Sequence, residues 1–423
     1  MKDVRNNKRK RNKYRNIVAI CCGLAGAAIG ISFNTSGVFY TPVSENLGIL
    51  RGAFSMHMTI FTLVMATASL SVPKIMKIIP YKVTLITSVL IVTVTTAMMG
   101  MARNIVMFYV LGAVRGLFNA MFSIAPISII INRWFIRKNG LVMSVVFSIS
   151  GLVGVFVSPV LAMIIEKWGW ETGYFVKAGI LFCLALPAMI YKFKVNPLEE
   201  QFKPYGEDIP EEYSKKNFDK EKKEDAGNIN VEKASYTKLT FKSILLFTSF
   251  ICLLTGFPQH FPGYSASLGY RNSMGAILLS AGMMGNIISK LLVGILSDRI
   301  GASRATAVLL ISNLSGIIFL ITANTFFYLA VGAFLFGSCY GIGAVALSLL
   351  TRRFFGIEKY IVLFPIITFL SNAGSALSLS IIGFIYDFSG SYMLAFVFSL
   401  VIIGISTIFL GIAIVERRKI ITN

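Results

Sequence analysis

The run IVAICCGLAGAAIGISFNTSGVFY, residues 17–40, contains no charged side chain and follows a basic tail from Lys2 to Arg15. About 20 apolar residues are enough to cross the core of a bilayer as a helix. The run is too long for the apolar region of a cleavable signal peptide, and no clear cleavage site follows it. The pattern therefore predicts a first membrane span whose basic flank stays in the cytoplasm.

Eleven more runs of this kind follow along the chain. Only helices and closed barrels satisfy their backbone hydrogen bonds in lipid, and barrel strands would alternate over about 10 residues. We therefore expect an all-α membrane protein with twelve transmembrane helices. The predicted spans are about Ile17–Tyr40, Ala53–Val72, Val83–Gly100, Ile105–Ile131, Leu141–Ile165, Tyr174–Tyr191, Ile244–Phe261, Gly275–Ser297, Ala305–Thr322, Phe326–Leu350, Ile361–Ile385 and Tyr392–Val415.

Composition agrees with a chain that lies mostly in lipid. Of the 423 residues 55% are hydrophobic and 14% are charged, and the mean hydropathy is +0.73, whereas a soluble domain carries about 25% charged residues. The net charge is +21, but residues 192–242 hold eleven acids and eleven lysines and are neutral. The excess charge lies in short basic patches between apolar runs. This distribution favours positive loops at a bilayer over a nucleic-acid partner.

The basic loops predict the orientation. With the N-terminus inside, the outer loops receive only Arg51, Arg103, Lys167 and Arg271. We therefore expect both termini in the cytoplasm and a multi-pass protein of the cell (cytoplasmic) membrane. The cytoplasmic side receives Lys74, Lys77, Lys82, Arg133, Arg137, Lys138, Arg299, Arg304, Arg352, Arg353, Lys359, Arg417, Arg418 and Lys419.

The chain divides into two similar parts. Residues 193–241 are polar and charged, which predicts a flexible cytoplasmic linker. We expect a six-helix bundle with a basic tail over residues 1–192 and a second bundle over residues 242–423. Three landmarks recur at an offset of 220 or 221 residues, which favours duplicated halves over chance similarity. They are Gly112-Ala113 with Gly332-Ala333, Arg133-Trp134-Phe135 with Arg353-Phe354-Phe355, and Gly169 with Gly390.

The end of the eighth run reads GILSDRIG, residues 294–301, followed by Arg304. It resembles the G-x-L-[ST]-D-R-x-G signature of the major facilitator superfamily, whose acid latches the cytoplasmic gate against basic groups and a helix N-terminus. By that resemblance Asp298, Arg299 and Arg304 are gating residues. The alternative is that Asp298 merely ends a helix. The corresponding loop of the first half, residues 73–80, contains no acid.

Other stretches resemble one branch of that superfamily, the oxalate/formate antiporter and monocarboxylate transporter group. They are Asn132-Arg133-Trp134-Phe135, Ser158-Pro159, Gly169-Trp170, Asn196-Pro197-Leu198-Glu199-Glu200 and Ile385-Tyr386-Asp387. The resemblance implies two six-helix bundles and transport of a small organic anion, a monocarboxylate or a similar molecule, by alternating access. Both antiport and proton symport stay open.

Two cations inside the predicted spans are candidate anion ligands. Arg115 shares a helix face with Asn119, and Lys290 shares one with Asn286. No Asp or Glu falls well inside any predicted span, so these cations would attract an anion. Alternatively, Arg115 is structural and binds loop carbonyls, and Lys290 reaches along the helix toward the cytoplasm.

The resemblance places further residues at the substrate site. Lys290 matches a substrate-binding Arg of monocarboxylate transporters. Asn372 stands where dicarboxylate carriers keep a second cation, and Asn34 where animal monocarboxylate carriers keep a Lys. Tyr340 could line the path. The two losses favour a substrate with one carboxylate over oxalate.

His57 and His260 could couple proton movement to transport, although a membrane histidine is more often a packing residue. The five cysteines form no metal-binding spacing, and no enzyme motif is present in the spans, so we expect no metal, no cofactor and no enzymatic activity. The alternative functions are a sensor or receptor that lost transport, and an oxalate/formate-type dicarboxylate exchanger. We expect a functional monomer.

Overall fold

The fold was analysed in a computed structural model that describes residues 2–136, 139–206 and 238–422. The described residues are almost entirely helical, with one isolated parallel bridge between Phe135 and Tyr205. The long helices are Lys2–Ala25, Tyr40–Leu47, Arg51–Ser69, Tyr81–Met99, Ile105–Asn119, Ile124–Trp134, Asn139–Ile190, Lys238–Ile251, Asn272–Ile300, Ala302–Thr322, Phe326–Phe336, Leu347–Ser389 and Met393–Thr422. Shorter pieces are Gly26–Asn34, Ser36–Phe39, Val72–Ile78, Ala120–Phe122, Pro197–Glu200, Cys252–Leu254, Phe257–His260, Phe261–Ser267, Ser338–Gly341 and Ile342–Ala346.

Eleven apolar segments in the described residues are long enough to cross a membrane, and one of them contains two spans. Within Leu141–Ile190, Gly169 has φ 86° and ψ 162°, which breaks the helix between spans 5 and 6. The predicted all-α fold with twelve spans is therefore confirmed. In chain order, spans 1–4 are Asn12–Leu47, Arg51–Ser69, Tyr81–Met99 and Ile105–Trp134, and spans 7–12 are Lys238–Ser267, Asn272–Ser297, Ala302–Thr322, Phe326–Gly356, Ile366–Ser389 and Met393–Arg417.

The predicted boundaries differ most between spans 10 and 11. Residues 351–360 were expected to form a loop because they carry Arg352, Arg353 and Lys359. Instead the helical path from Leu347 to Ser389 is interrupted only at Gly356, where φ is 73°. Long basic side chains can extend from a helix end into water, so their charge alone does not mark a loop.

Buried apolar residues form one cluster from Ile17 to Phe193 and another from Ile244 to Ala413. We call spans 1–6 the N-terminal half and spans 7–12 the C-terminal half. A third cluster joins them, since Phe39 and Phe54 pack with Leu279 and Leu379.

The ends of the bundle differ. We call the end that carries residues 192–206 the linker end and the opposite end the distal end. At the linker end, the indole of Trp134 donates to the Lys194 carbonyl at 3.0 Å and Tyr14 donates to the Lys203 carbonyl at 2.6 Å. Lys13 forms an ion pair with Glu200. The chain that leaves span 6 is therefore fixed against the N-terminal half.

Candidate functional site at the interface of the two halves

Spans 1, 4, 7 and 10 depart from regular α-helix near the middle of their length. Span 1 contains the π-helical segment Gly26–Asn34, and span 10 contains another at Ile342–Ala346. Spans 4 and 7 contain 3₁₀ turns at Ala120–Phe122 and Cys252–Leu254. Discontinuous helices of this kind form the binding sites of many transporters, and π segments are frequent at functional sites. These four spans therefore define the candidate pathway.

Spans 1 and 7 make direct contact between the halves. The Gly37 N–H donates to Gln259 Oε1 at 2.9 Å. A Cβ at Gly37 would lie 2.2 Å from the Gln259 carbonyl oxygen, so only glycine allows this approach. Four buried polar atoms beside this contact have no hydrogen-bond partner: Gln259 Nε2, His260 Nδ1 and the hydroxyls of Tyr40 and Tyr340. Unsatisfied buried groups are rare in packed proteins and are typical of sites that bind something.

Lys290 lies on the face of span 8 that meets the N-terminal half. Met283, Ile287 and Lys290 follow each other at helical spacing. A Cβ at Gly154 would lie 3.5 Å from Met283, and one at Gly151 would lie 2.6 Å from Ile287. Lys290 is one turn further toward the linker end and is half-buried. The structure gives it no hydrogen bond or ion pair with another described residue.

Asn372 has the matching position on span 11. Thr59 of span 2 donates to the Ala376 carbonyl at 2.8 Å and hydrogen-bonds with Ser380 at 2.7 Å. Asn372 lies one turn from Ala376 toward the linker end and is exposed. Lys290 and Asn372 thus flank the space between the halves on opposite sides, just past the last contacts described.

Arg115 and Asn119 point into the N-terminal half instead. Both are fully buried. Arg115 donates to the Ser32 carbonyl at 3.4 Å, and Asn119 donates to the Ala28 carbonyl at 3.1 Å. The structure therefore does not bring Arg115 together with Lys290. It brings Arg115 close to Lys177 of span 6, a buried cation that sequence reasoning missed.

The remaining predicted site residues lie around the interface. Asn34 donates to the Ser150 carbonyl at 2.9 Å and contacts Gly154. Asn286 faces span 10 at Gly337, and its Oδ1 is buried without a partner. Tyr340 belongs to the unsatisfied cluster described above.

At the distal end, carboxylates of each half cap helices of the other. Asp387, at the end of span 11, accepts from the N–H groups of Arg51 at 3.0 Å and Gly52 at 2.5 Å, where span 2 begins. Glu166, at the end of span 5, accepts from the N–H of Ser273 at 2.7 Å, where span 8 begins. A carboxylate is favourable at a helix N-terminus. We call these two contacts the distal latches.

Comparison with known proteins agrees with this architecture. The model of the Major Facilitator Superfamily matches residues 22–313, more than half of the chain. The chain belongs to the Major Facilitator Superfamily. No curated protein matches its sequence.

Solved structures of superfamily transporters share the fold at low identity. An inward-facing, occupied bacterial homolog of the human lysosomal transporter Spinster has a TM-score of 0.64 at 12% identity, with 97% of each chain covered. A mutant peptide transporter POT in complex with sulfate has a TM-score of 0.67 at 13% identity, covering 95% of this chain and 94% of that one. A mutant of the nucleoside transporter NupG has a TM-score of 0.65 at 12% identity, covering 96% and 98%.

The superfamily signature at the linker end is only partly described. The Asp298 side chain lies outside the described part of the structure. Arg299 and Arg304 are exposed. The turn between them at Gly301 has φ 86° and lies against the guanidinium of Arg353, so the linker-end segments after spans 8 and 10 are in contact. The role of Asp298, Arg299 and Arg304 in gating stays a prediction.

The two histidines have different surroundings. His57 is enclosed by Phe54 and Phe108, and its Nδ1 is 2.5 Å from the Phe54 carbonyl oxygen of its own helix. His260 is 2.7 Å from the Leu379 carbonyl oxygen, and its ring packs on Tyr40 of the opposite half at 5.1 Å. Of the two, His260 is placed where it senses the relative position of the halves.

Proposed function

We propose that this member of the superfamily is a secondary active transporter of a small organic anion, a monocarboxylate or a similar molecule. The observation that carries the proposal is Lys290, a cation on the interface face of span 8 with no acidic partner among the described side chains. A cation at this depth is costly unless it binds something. The sequence resemblance to monocarboxylate transporters places a substrate-binding Arg at the same position.

The substrate is proposed to bind between Lys290 and Asn372, with its carboxylate on the ammonium group. A lysine offers a movable point charge, whereas an amide such as Asn372 offers a donor and an acceptor for a polar arm of the substrate. One cation and one amide suit one carboxylate better than two. Exchange or proton symport would both drive such a cycle.

Alternating access is supported by the position of the interface contacts. In the described chain, the hydrogen bonds between the halves lie from mid-depth to the distal end. Lys290 and Asn372 lie beyond them, toward the linker end. We place the linker end in the cytoplasm, because the basic loop residues concentrate there. The substrate site would then open to the cytoplasm in this conformation.

Uptake into proteoliposomes tests the proposal. Purified protein is reconstituted and given labelled lactate, formate or oxalate, with and without an imposed pH gradient or internal anion. Lys290→Ala is expected to abolish uptake, whereas Lys290→Arg should retain a substantial part of it, because it keeps the charge. Lys74→Ala, an exposed lysine of the short helix Val72–Ile78, is the matched control and should transport normally.

The result has a clear negative form. Full uptake by Lys290→Ala would remove Lys290 from the site. No uptake or exchange of any carboxylate by wild-type protein, with binding intact, would favour a sensor that has kept the fold. A strong response to the pH gradient would indicate proton symport, and a strong response to internal anion would indicate exchange.

A further inference from the structure

Two buried cations meet inside the N-terminal half. Arg115 of span 4 has no exposed surface, and Lys177 of span 6 is 1% exposed. Arg115 Nη2 donates to the Ser32 carbonyl at 3.4 Å, and Lys177 Nζ donates to Ser36 Oγ at 3.2 Å. Ser36 in turn donates to the Ser32 carbonyl at 3.0 Å. The two cations therefore share one turn of span 1, and their charges act on each other.

The donors of this pair outnumber the acceptors around it. The guanidinium has five N–H donors and the ammonium three. Besides Ser32, Arg115 contacts the Met99 sulfur at 3.2 Å and the Phe61 ring at 5.3 Å, and its Nε has no partner. A thioether is a weak acceptor.

Lys177 is in a similar position. Besides Ser36, its ammonium group faces the rings of Phe39 at 5.0 Å and Tyr174 at 5.9 Å. A ring face attracts a cation but accepts no full hydrogen bond in exchange for its hydration. Donors on both side chains therefore remain available to a further acceptor.

The acids of this half are engaged elsewhere. Residues 1–192 contain only Asp3, Glu45, Glu166 and Glu171, and Asp3 lies in the basic tail. Glu45 pairs with Arg51, Glu171 pairs with Arg103, and Glu166 forms a distal latch. The other titratable groups that act on the pair are His57 of span 2 and Tyr174, neither of which is an acid. Two like charges buried without a counter-charge are costly by several kcal/mol.

We propose that Arg115 and Lys177 together form a binding site for a small monovalent anion, either a halide or the carboxylate group of an organic anion. Such an anion would accept charge-assisted hydrogen bonds from both side chains and offset both buried charges. The site lies within the N-terminal half, whereas Lys290 belongs to the C-terminal half, so this inference does not rest on the proposed substrate site.

The test measures anion binding to purified full-length protein that carries Lys290→Ala, which removes the other candidate anion site. Binding of radioactive chloride and of labelled formate is measured at constant ionic strength, with a bulky buffer anion as replacement. The melting temperature is recorded in parallel, because a ligand that binds only the folded state raises it in a saturable way. We expect saturable binding of chloride, of formate, or of both in competition.

The source of the anion follows from competition. Chloride that formate displaces indicates one site open to both anions. Chloride that formate does not displace indicates a halide site, and formate binding without chloride binding indicates a carboxylate site. In all three cases the added variant Lys177→Met should weaken binding at least about tenfold, which corresponds to one charge-assisted hydrogen bond. Lys177→Arg should retain it.

Two results would overturn the proposal. One is the absence of saturable binding of either anion to the Lys290→Ala protein, which would favour an uncharged Lys177. The other is unchanged binding in Lys177→Met. If Lys177→Met does not fold, Arg115→Lys replaces it, because the shorter reach of Lys keeps the charge but removes the Nε and Nη donors. Loss of uptake in Lys290→Ala alone bears on the proposed function and not on this site.

Discussion

Glu166 and Asp387 lie 221 residues apart, and each accepts hydrogen bonds from the first residues of a helix in the opposite half. Their partners Gly52 and Ser273 are also 221 residues apart. The offset is the one at which the sequence landmarks recur. The two distal latches are therefore equivalent contacts of a duplicated architecture, and both must break before the distal end can open.

Neutralising a latch should shift the protein toward a state that is open at the distal end. A carboxylate at a helix N-terminus contributes about 0.3–2 kcal/mol, so Asp387→Asn should raise the distal-open population by roughly 2- to 30-fold. Labelling of Thr59→Cys by an impermeant maleimide, in a background without other cysteines, measures this population. Glu171→Gln is the control, since Glu171 pairs only with Arg103 of its own half. Equal labelling in both variants would argue against a latch.

A side chain at Gly383 should hold the distal end apart. A Cβ there would lie 2.6 Å from the Gly52 Cα, so backbone must move. Gly383→Val is expected to lose most transport while the purified protein remains monodisperse and helical. Gly404→Val in span 12 is the matched control, because nothing lies within 4 Å of a Cβ there. Normal uptake in the first variant would mean that spans 2 and 11 need not touch.

A second cation across from Lys290 should change substrate choice. Asn372→Lys adds a positive charge on the face of span 11 that borders the interface. A new charge-assisted hydrogen bond is worth about 1.5–3 kcal/mol, so affinity for oxalate should rise about 10- to 100-fold relative to lactate. Competition of both anions against one labelled substrate measures the ratio. An unchanged ratio would show that Asn372 does not contact the substrate.

The two histidines should differ in their effect on the pH profile of transport. His57 is held inside the N-terminal half by its own helix, whereas His260 contacts Tyr40 across the interface. If transport is proton-coupled, His260→Gln should alter the pH dependence of uptake and His57→Gln should not. Uptake between pH 5 and 8 in both variants decides this, and identical profiles would exclude His260 as a coupling group.

The sequence predicted the twelve spans because length and loop charge determine them directly. It placed Arg115 at mid-depth, but helical spacing does not reveal which neighbour a face meets. Packing turns that face toward spans 1, 3 and 6 and away from Lys290. Lys177 lies one turn after the predicted start of span 6, where a lysine is ordinarily a boundary residue. The lack of acids around it, together with Tyr174 one turn away, was the signal that could have found it.

The irregular segments of the four pathway helices carry a further consequence. At the 220-residue offset span 1 corresponds to span 7 and span 4 to span 10, yet each pair joins a π-helical segment to a 3₁₀ turn. The duplicated framework thus loses its symmetry at mid-depth, where carbonyl groups of unlike spacing face the path. A molecule bound there meets different surroundings at its two ends. The protein can therefore hold an asymmetric substrate in a single orientation and distinguish its mirror image.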